Sequence, residues 1–111
     1  LFDQETYEKF QKLLCSLPRE YTVVKLNRLF FLDRLQLLPD PEMQEVVKDH
    51  KAFSQLLGCL RSDGWIRTDG FSFSVQPLQW EDCRQELRTQ PGEMSQWQNL
   101  AQRMIGGEVQ V

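Results

Sequence analysis

The chain has 111 residues, 41% of them hydrophobic and 26% charged, and a formal net charge of −3. This length and composition suffice for one folded core without disulfides or a structural metal, and they exclude an intrinsically disordered segment. Because basic and acidic residues are interspersed, no segment attracts nucleic acid or another polyanion from a distance. We therefore predict one domain over residues 1–111.

The cellular setting is inferred from the start of the chain, the cysteines and the hydropathy pattern. The chain begins with Leu1 and has no signal-like segment, so we expect a piece excised from a longer protein. Cys15, Cys59 and Cys83 form an odd set without a C-x-x-C pair, which favours free thiols in a reducing compartment. Charged residues interrupt the longest apolar stretch, residues 23–38, so no membrane-spanning helix is predicted. We expect an intracellular protein, nuclear or cytoplasmic, without a membrane partner.

The first predicted helix covers residues 4–16. Asp3 can cap its first backbone N–H groups, while Phe2 and Tyr7 have the spacing of a hydrophobic staple. Apolar residues then recur at three- and four-residue intervals until Pro18, which cannot continue a helix.

The second predicted helix covers residues 22–38, from a cap at Thr22 to a stop at Pro39. Its apolar residues fall into two stripes: Val23, Leu26, Phe30 and Leu37, and Val24, Phe31, Leu35 and Leu38. A helix with two apolar stripes is held between two neighbours. We therefore predict that this helix is the central element of the fold.

A third helical region covers residues 41–62. Asp40 can cap it, and Pro41 fits its first turn, where the missing proline N–H costs no hydrogen bond. The region is either one helix or two, and Asp49, a competent cap, favours a break. Gly64 is suited to the left-handed position that follows a helix.

The hydrophobic period changes from 3.6 to 2 over residues 65–75, which predicts a β-hairpin. Asp69-Gly70 is typical of a two-residue type I′ turn. Such a turn pairs residues across the strands as follows: Thr68 with Phe71, and Ile66 with Phe73. This register gathers the apolar residues on one face, and it would bury Phe71.

Two more helices are predicted after Pro77, separated by Gln90-Pro91-Gly92 and ending at Gly106-Gly107. Residues 108–111 are left as a short strand or a frayed end. The predicted fold class is thus α-rich α+β, with a three-helix unit, one hairpin and two appended C-terminal helices.

One segment carries a family resemblance through its pattern of residues: Phe53, Leu56, Leu57, Leu60, Gly64, Trp65, Ile66, Asp69 and Gly70. Three helices followed by a hairpin entered through this segment resemble the winged helix–turn–helix superfamily over residues 4–75. The resemblance implies a winged-helix-like unit over residues 4–76, with the hairpin as its wing. It leaves residues 77–107 as a C-terminal helical extension.

The resemblance also implies an alternative function. In this superfamily the third helix, here residues 49–62, often lies in the DNA major groove while the wing contacts the backbone. The outward candidates for nucleic-acid binding are Lys51, Ser54, Gln55, Arg67 and Thr68. Over residues 49–75 the charges cancel: Lys51, Arg61 and Arg67 against Asp49, Asp63 and Asp69. Since phosphate neutralisation supplies most of the affinity for DNA, charge disfavours this alternative.

No catalytic, cofactor or metal site is predicted. His50 is the only histidine, which excludes a paired-imidazole site within the chain. Carboxylates that are close in sequence fall on helix surfaces expected to be solvated, and no glycine-rich nucleotide-binding motif occurs. We therefore predict a non-enzymatic domain.

The favoured function is protein–protein interaction, as a scaffold module of a larger protein. Four large residues, Trp80, Met94, Trp97 and Met104, follow a unit that already closes a core. Trp and Met are over-represented in interface cores, so we predict that these four bind the partner and that at least two are solvent-accessible. In the alternative, they fill the core. If all four are buried, the surface is expected on helix 49–62 and the wing around Arg67.

Overall fold

The computed structural model describes residues 2–106, in which six α-helices and two 3₁₀ helices accompany one two-stranded antiparallel hairpin. In chain order the helices and strands are α1 (Gln4–Ser16), α2 (Arg28–Leu32), α3 (Pro41–Lys48), α4 (His50–Ser62), β1 (Ile66–Asp69), β2 (Ser72–Val75), α5 (Pro77–Arg88) and α6 (Pro91–Ile105). The 3₁₀ helices cover Arg19–Thr22 and Leu35–Leu37. The predicted α-rich α+β class is confirmed. The strand or frayed end predicted for residues 108–111 lies outside the described residues.

The first helix begins as predicted and is the central element of the fold. The Asp3 carboxylate accepts a hydrogen bond from the backbone N–H of Thr6 at 2.9 Å, and the Phe2 and Tyr7 rings lie 6.3 Å apart. Helix α1 packs against α3, α5 and α6. The side chains of residues 13–17 are all buried, which means that the end of α1 is enclosed on every side. One continuous core therefore joins the first helices to the last two.

The helix predicted over residues 22–38 is wrong, and so is its central place. Val23 and Val24 are 77% and 44% exposed, and the regular helix α2 begins only after Asn27. The backbone of Leu26 exchanges hydrogen bonds with that of Phe73, at 2.6 and 2.8 Å. A helix through this segment would need the same N–H and C=O groups of Leu26. The backbone pairing of Leu26 with Phe73 and a continuous helix therefore exclude one another.

The break in the third helical region is confirmed at Asp49. Its side chain accepts a hydrogen bond from the backbone N–H of Lys51 at 3.1 Å and so begins α4. Pro41 occupies the first turn of α3 as predicted. The capping role predicted for Asp40 is wrong, because its carboxylate makes no cap hydrogen bond and instead forms an ion pair with Lys9 of α1.

The end of α4 is the glycine-terminated motif that the sequence indicates. Gly64 has φ of 80°, and its backbone N–H donates to the carbonyl of Arg61 at 3.1 Å. The N–H of Trp65 donates to the carbonyl of Leu60 at 2.8 Å. These two bonds satisfy the last carbonyls of α4 and turn the chain into β1.

The hairpin forms, but its predicted register is wrong. The observed cross-strand pairs are Ile66 with Val75, Arg67 with Ser74, Thr68 with Phe73, and Asp69 with Ser72. The loop is therefore Gly70-Phe71. A type I′ turn needs positive φ at both central residues, but Gly70 has φ of 66° and none of the described non-glycine residues has a positive φ. Glycine with positive φ at the first central position is typical of a type II′ turn.

The shift in register has one consequence for the surface of the molecule. Because the pairing moves by two residues, side chains on the strands keep the faces predicted for them, and Ile66, Phe73 and Val75 are buried. Phe71 instead moves into the loop, where it is 95% exposed. The prediction that Phe71 lies on the buried face is wrong.

Candidate functional site

The four residues predicted to bind a partner belong to the core. Trp80, Trp97 and Met104 have exposed fractions of 6%, 7% and 0%, and Met94 is half-buried against the same core. The prediction that at least two are solvent-accessible is therefore wrong. The physical reason is that α5 and α6 pack on α1, whose end offers apolar surface on all sides. The alternative, in which these residues fill the core, describes the structure.

The five candidates for nucleic-acid binding are distributed over α4 and the hairpin. Lys51, Ser54, Gln55 and Arg67 are exposed, and Thr68 is half-buried. Ser54 and Thr68 line one groove, while Gln55 lines a separate depression beside α1. Neither of the two candidates that share a groove is charged.

The groove that contains Ser54 and Thr68 lies between α2, α4 and the tip of the hairpin, with a volume of about 530 Å³. We call it the α2–α4 groove. Its lining residues are Asn27, Arg28, Leu29, Leu32, His50, Phe53, Ser54, Leu57, Gly58, Arg61, Thr68, Gly70 and Phe71. It lies on the helix and wing that the sequence offers as the second location for a partner surface.

Three sets of contacts hold the walls of the α2–α4 groove. Arg28, at the start of α2, donates hydrogen bonds to the backbone carbonyls of Val47 and Lys48 at 2.8 and 2.7 Å, which ties α2 to the end of α3. The Leu26 bridge ties the preceding segment to β2. Lys25 forms an ion pair with Asp69 beside the hairpin loop. The groove is thus bounded by elements that are fixed to one another.

Two large apolar side chains that line the groove are exposed. Leu29 of α2 is 61% exposed, and Phe71 at the hairpin tip is 95% exposed. The half-buried side chains of Leu32 and Leu57 and the buried ring of Phe53 line the same groove. Apolar side chains grouped in a concave surface are typical of protein-binding sites, whereas isolated exposed ones carry no such implication.

Gly58 contributes to the open space of the groove. It lies inside α4, where a glycine costs about 1 kcal/mol relative to alanine. A Cβ atom at this position would meet no other atom within 4 Å, so core packing does not require the glycine. The residue leaves the surface of α4 bare where it lines the groove.

The charged lining of the groove is basic. Arg28 and Arg61 line it, and none of the described lining residues is a carboxylate, although the chain as a whole carries −3. The side chain of Arg61 is exposed at the rim. The local charge therefore favours an acidic ligand and opposes a basic one.

Some signals for this groove are present in the sequence. Leu29 belongs to neither apolar stripe of the predicted helix 22–38, and Gly58 is a glycine in the interior of a predicted helix. The sequence does not indicate that Phe71 is exposed, because the alternation of apolar and polar residues along the strands assigns it to the buried face. Its exposure depends on the turn type.

Within residues 2–106, no group of three or more His, Cys, Asp or Glu side chains is placed to hold a metal ion. None of the helices in this part of the chain is long and apolar enough to cross a membrane. Comparison with protein-family models finds no match, and comparisons with curated proteins and with solved structures also find none.

Proposed function

We propose that the chain is a non-catalytic protein-interaction module of a larger nuclear or cytoplasmic protein, and that the α2–α4 groove binds an apolar segment of a partner flanked by acidic residues. The exposure of two large apolar side chains in one groove, Leu29 of α2 and Phe71 at the hairpin tip, is the observation that carries this proposal. Fully burying a Leu or Phe side chain contributes about 1.5–3 kcal/mol, so an apolar segment that covers both would gain binding energy here.

The chemistry of the partner follows from the lining. The apolar part of the lining favours aliphatic or aromatic anchors in the ligand. It consists of Leu29, Leu32, Leu57 and Phe71. The exposed Arg61 at the rim favours Asp or Glu beside those anchors. Nucleic acid fits less well, since binding of phosphates requires a cluster of cations and the described groove lining has two arginines amid apolar surface.

The winged-helix-like nature of residues 4–76 is part of the same proposal. Helices α1, α3 and α4, followed by β1 and β2, have the order expected of such a unit, and the isolated β-bridge of Leu26 with Phe73 adds one backbone pair beside β2. In this arrangement the groove lies between the third helix and the wing. A protein ligand would then use the surface that DNA-binding members present to the double helix.

The test is a selection from a phage-displayed library of random peptides against the domain. We expect enriched peptides to share two or three apolar anchors with adjacent Asp or Glu. Their affinity, measured by fluorescence anisotropy, should fall at least about tenfold in the Leu29→Ala/Phe71→Ala variant, because a few apolar anchors carry most of the binding energy. Arg61→Glu should weaken the same peptides, and more so at low salt.

Leu78→Ala is the matched control. Leu78 is a leucine of α5, 79% exposed and outside the groove, so its loss should leave the affinity unchanged. An equal loss of affinity in the control and groove variants would contradict the proposal. So would salt-dependent binding of duplex or single-stranded DNA that exceeds peptide binding, since that result would favour the nucleic-acid alternative.

A second variant tests the role of the bare surface of α4. Gly58→Gln should leave the fold intact, because the space around this position is open, but its side chain should fill part of the groove. We expect normal thermal unfolding together with weaker peptide binding. Unchanged peptide affinity in Gly58→Gln would mean that the peptides bind elsewhere.

A further inference from the structure

Two of the three cysteines meet where α5 packs on α1. The Sγ atoms of Cys15 and Cys83 lie 2.6 Å apart, although the residues are separated by 68 positions in sequence. This separation is shorter than an ordinary van der Waals contact between two sulfur atoms. It is longer than a covalent S–S bond, which is about 2.05 Å. Helices α1 and α5 therefore already hold the two thiols in position for a bond.

The surroundings of the two sulfurs differ in a way that suits stepwise oxidation. Cys15 is fully buried, and Cys83 is half-buried and is thus the more exposed of the two. The hydrogen bond from the Cys15 thiol lowers the pKa of Cys83, while that same contact and burial raise the pKa of Cys15. The thiolate therefore forms preferentially at Cys83, the more accessible of the two.

We propose that Cys15 and Cys83 are a redox modification site, at which a low-molecular-weight disulfide such as oxidised glutathione converts the two thiols into a reversible disulfide that joins α1 to α5. This inference is independent of the α2–α4 groove, because neither cysteine lines it. Disulfides of intracellular proteins are typically transient and redox-sensing, which agrees with the proposed setting.

The reaction is two thiol–disulfide exchanges. First, the Cys83 thiolate attacks one sulfur of oxidised glutathione, which breaks the glutathione S–S bond, forms a mixed disulfide at Cys83 and releases one glutathione thiolate. Second, the Cys15 sulfur attacks the Cys83 sulfur and expels the second glutathione thiolate. The protons of the two cysteines pass to the two released thiolates. In total, two protein thiols are oxidised and one glutathione disulfide is reduced to two glutathione molecules.

The expected consequence is a covalent link between the first helix and the C-terminal pair. The bond would close a large loop of chain, and disulfides that close long loops stabilise the folded state most in the chain-entropy model. Since the two sulfur atoms are already in contact, we expect bond formation to need only a small movement of the two side chains. We expect the melting temperature to rise by roughly 5–15 °C on oxidation.

The experiment incubates the folded chain in glutathione buffers from fully reduced to fully oxidised. Intact mass spectrometry, a thiol count after unfolding and thermal melting are measured at each ratio. Apart from any mixed disulfide at the exposed Cys59, we expect the mass to fall by two hydrogen atoms, both thiols of the pair to be lost from the count, and proteolysis to yield a Cys15–Cys83 linked peptide. Reduction with dithiothreitol should restore the original melting temperature.

Single variants separate this pair from general thiol oxidation. Cys59→Ser removes the exposed cysteine, and it should leave both the mass change and the rise in melting temperature intact. Cys83→Ser should abolish both, and circular dichroism of the reduced variant would verify that it folds. Cys83 is half-buried, so its replacement by serine is milder than the same change at Cys15.

The exposed Cys59 also reports whether the oxidant has acted. If Cys59 becomes glutathionylated in the wild-type chain while Cys15 and Cys83 remain free thiols, the proposal is overturned. A stable mixed disulfide at Cys83 that never resolves to the intramolecular bond would overturn it as well. Peptide binding at the α2–α4 groove should be unaffected by oxidation, so the two proposals fail or succeed separately.

Discussion

At the scale of single residues, Gly70 decides the shape of the hairpin tip. Its φ of 66° is unfavourable for a residue with a branched Cβ. Gly70→Val should therefore lower the free energy of unfolding by about 1–2 kcal/mol, measured by urea denaturation. Phe71→Val is the control in the same loop: its side chain is exposed and its φ is not positive, so the loss should stay below about 0.5 kcal/mol. Equal losses in both variants would contradict the turn described above.

The hydrogen bond between Tyr7 and Asp63 connects the first turn of α1 to the end of α4. The Tyr7 hydroxyl donates to the Asp63 carboxylate at 2.5 Å, in a partly buried setting. Tyr7→Phe should cost about 1–2 kcal/mol, because the charged acceptor loses its donor. Sequence reasoning assigns Tyr7 only to the hydrophobic staple, since a contact 56 positions away has no local signal.

The same hydroxyl makes stability depend on pH in the alkaline range. Burial and then the hydrogen bond to Asp63 raise the pKa of Tyr7 above its ordinary value of 10.0. Above about pH 10 the unfolded state loses this proton while the folded state keeps it, so the free energy of unfolding falls as pH rises. Below that pH both the folded and the unfolded state keep the proton, so Tyr7 does not make the free energy of unfolding depend on pH. We expect the stability difference between wild type and Tyr7→Phe to shrink above pH 10, and a constant difference would contradict this origin.

At the scale of elements, the short helix α2 depends on a cap that the sequence pattern obscures. The Asn27 side chain accepts a hydrogen bond from the backbone N–H of Leu29 at 2.9 Å. Asn27→Ala should lower the free energy of unfolding by about 1 kcal/mol, in urea denaturation, and should loosen one wall of the α2–α4 groove. Thr22→Ala is the control, because the Thr22 hydroxyl donates to the carbonyl of Arg19 and caps no helix. If Thr22→Ala lowered the free energy of unfolding more than Asn27→Ala does, the result would contradict the cap at Asn27. It would favour the helix predicted over residues 22–38.

Helix ends are closed by arginines that come from other elements. Arg28 donates to carbonyls at the end of α3, and Arg34 donates to that of Met104 near the end of α6. Arg84 donates to the carbonyls of Cys15 and Leu17 at 2.7 and 3.1 Å, at the end of α1. A cationic donor suits the negative end of a helix and satisfies carbonyls that have no partner within it. These contacts of Arg84 join residues 67 or more positions apart, so no local sequence pattern indicates them.

At the scale of the whole molecule, the two C-terminal helices complete the core around α1. The Trp80 indole N–H donates to the carbonyl of Leu17 at 2.9 Å, and Arg84 lies over the Trp80 ring at 4.2 Å from its centroid. Lys12 of α1 pairs with Glu93 of α6 at 2.7 Å. Residues 77–106 are thus joined to α1 by buried apolar surface, hydrogen bonds and an ion pair.

Because α6 completes the core in this arrangement, we expect the replacement of Trp97 to destabilise the fold. Because its side chain is 7% exposed, Trp97→Ala should remove about 3–5 kcal/mol of folding free energy and lower the melting temperature sharply. Leu78→Ala, on the exposed face of α5, should change stability by less than about 0.5 kcal/mol. Differential scanning fluorimetry of the two variants tests the prediction. A stable Trp97→Ala variant would mean that α6 is dispensable for the core.

Local chemistry was enough to predict several elements from the sequence. The cap at Asp3, the break at Asp49, the helix end at Gly64 and the alternation of β1 and β2 each depend on residues within a few positions of one another. Such signals act through backbone conformation and the burial period of one element. They therefore predicted α1, α4, α5, α6 and the existence of the hairpin.

Tertiary structure decided the remaining features, because each depends on competition between local preference and a distant partner. The segment around Leu26 has helical periodicity, but its backbone groups bond to Phe73, which stops a helix over residues 22–38. Trp80 and Trp97 look the same in sequence whether they bind a partner or fill the space beside α1. Phe71 leaves the core through a two-residue shift that preserves the alternation of every other strand position. The contact of Cys15 with Cys83 exists only because α5 packs on α1. The two residues are 68 positions apart, so no local sequence pattern indicates their contact.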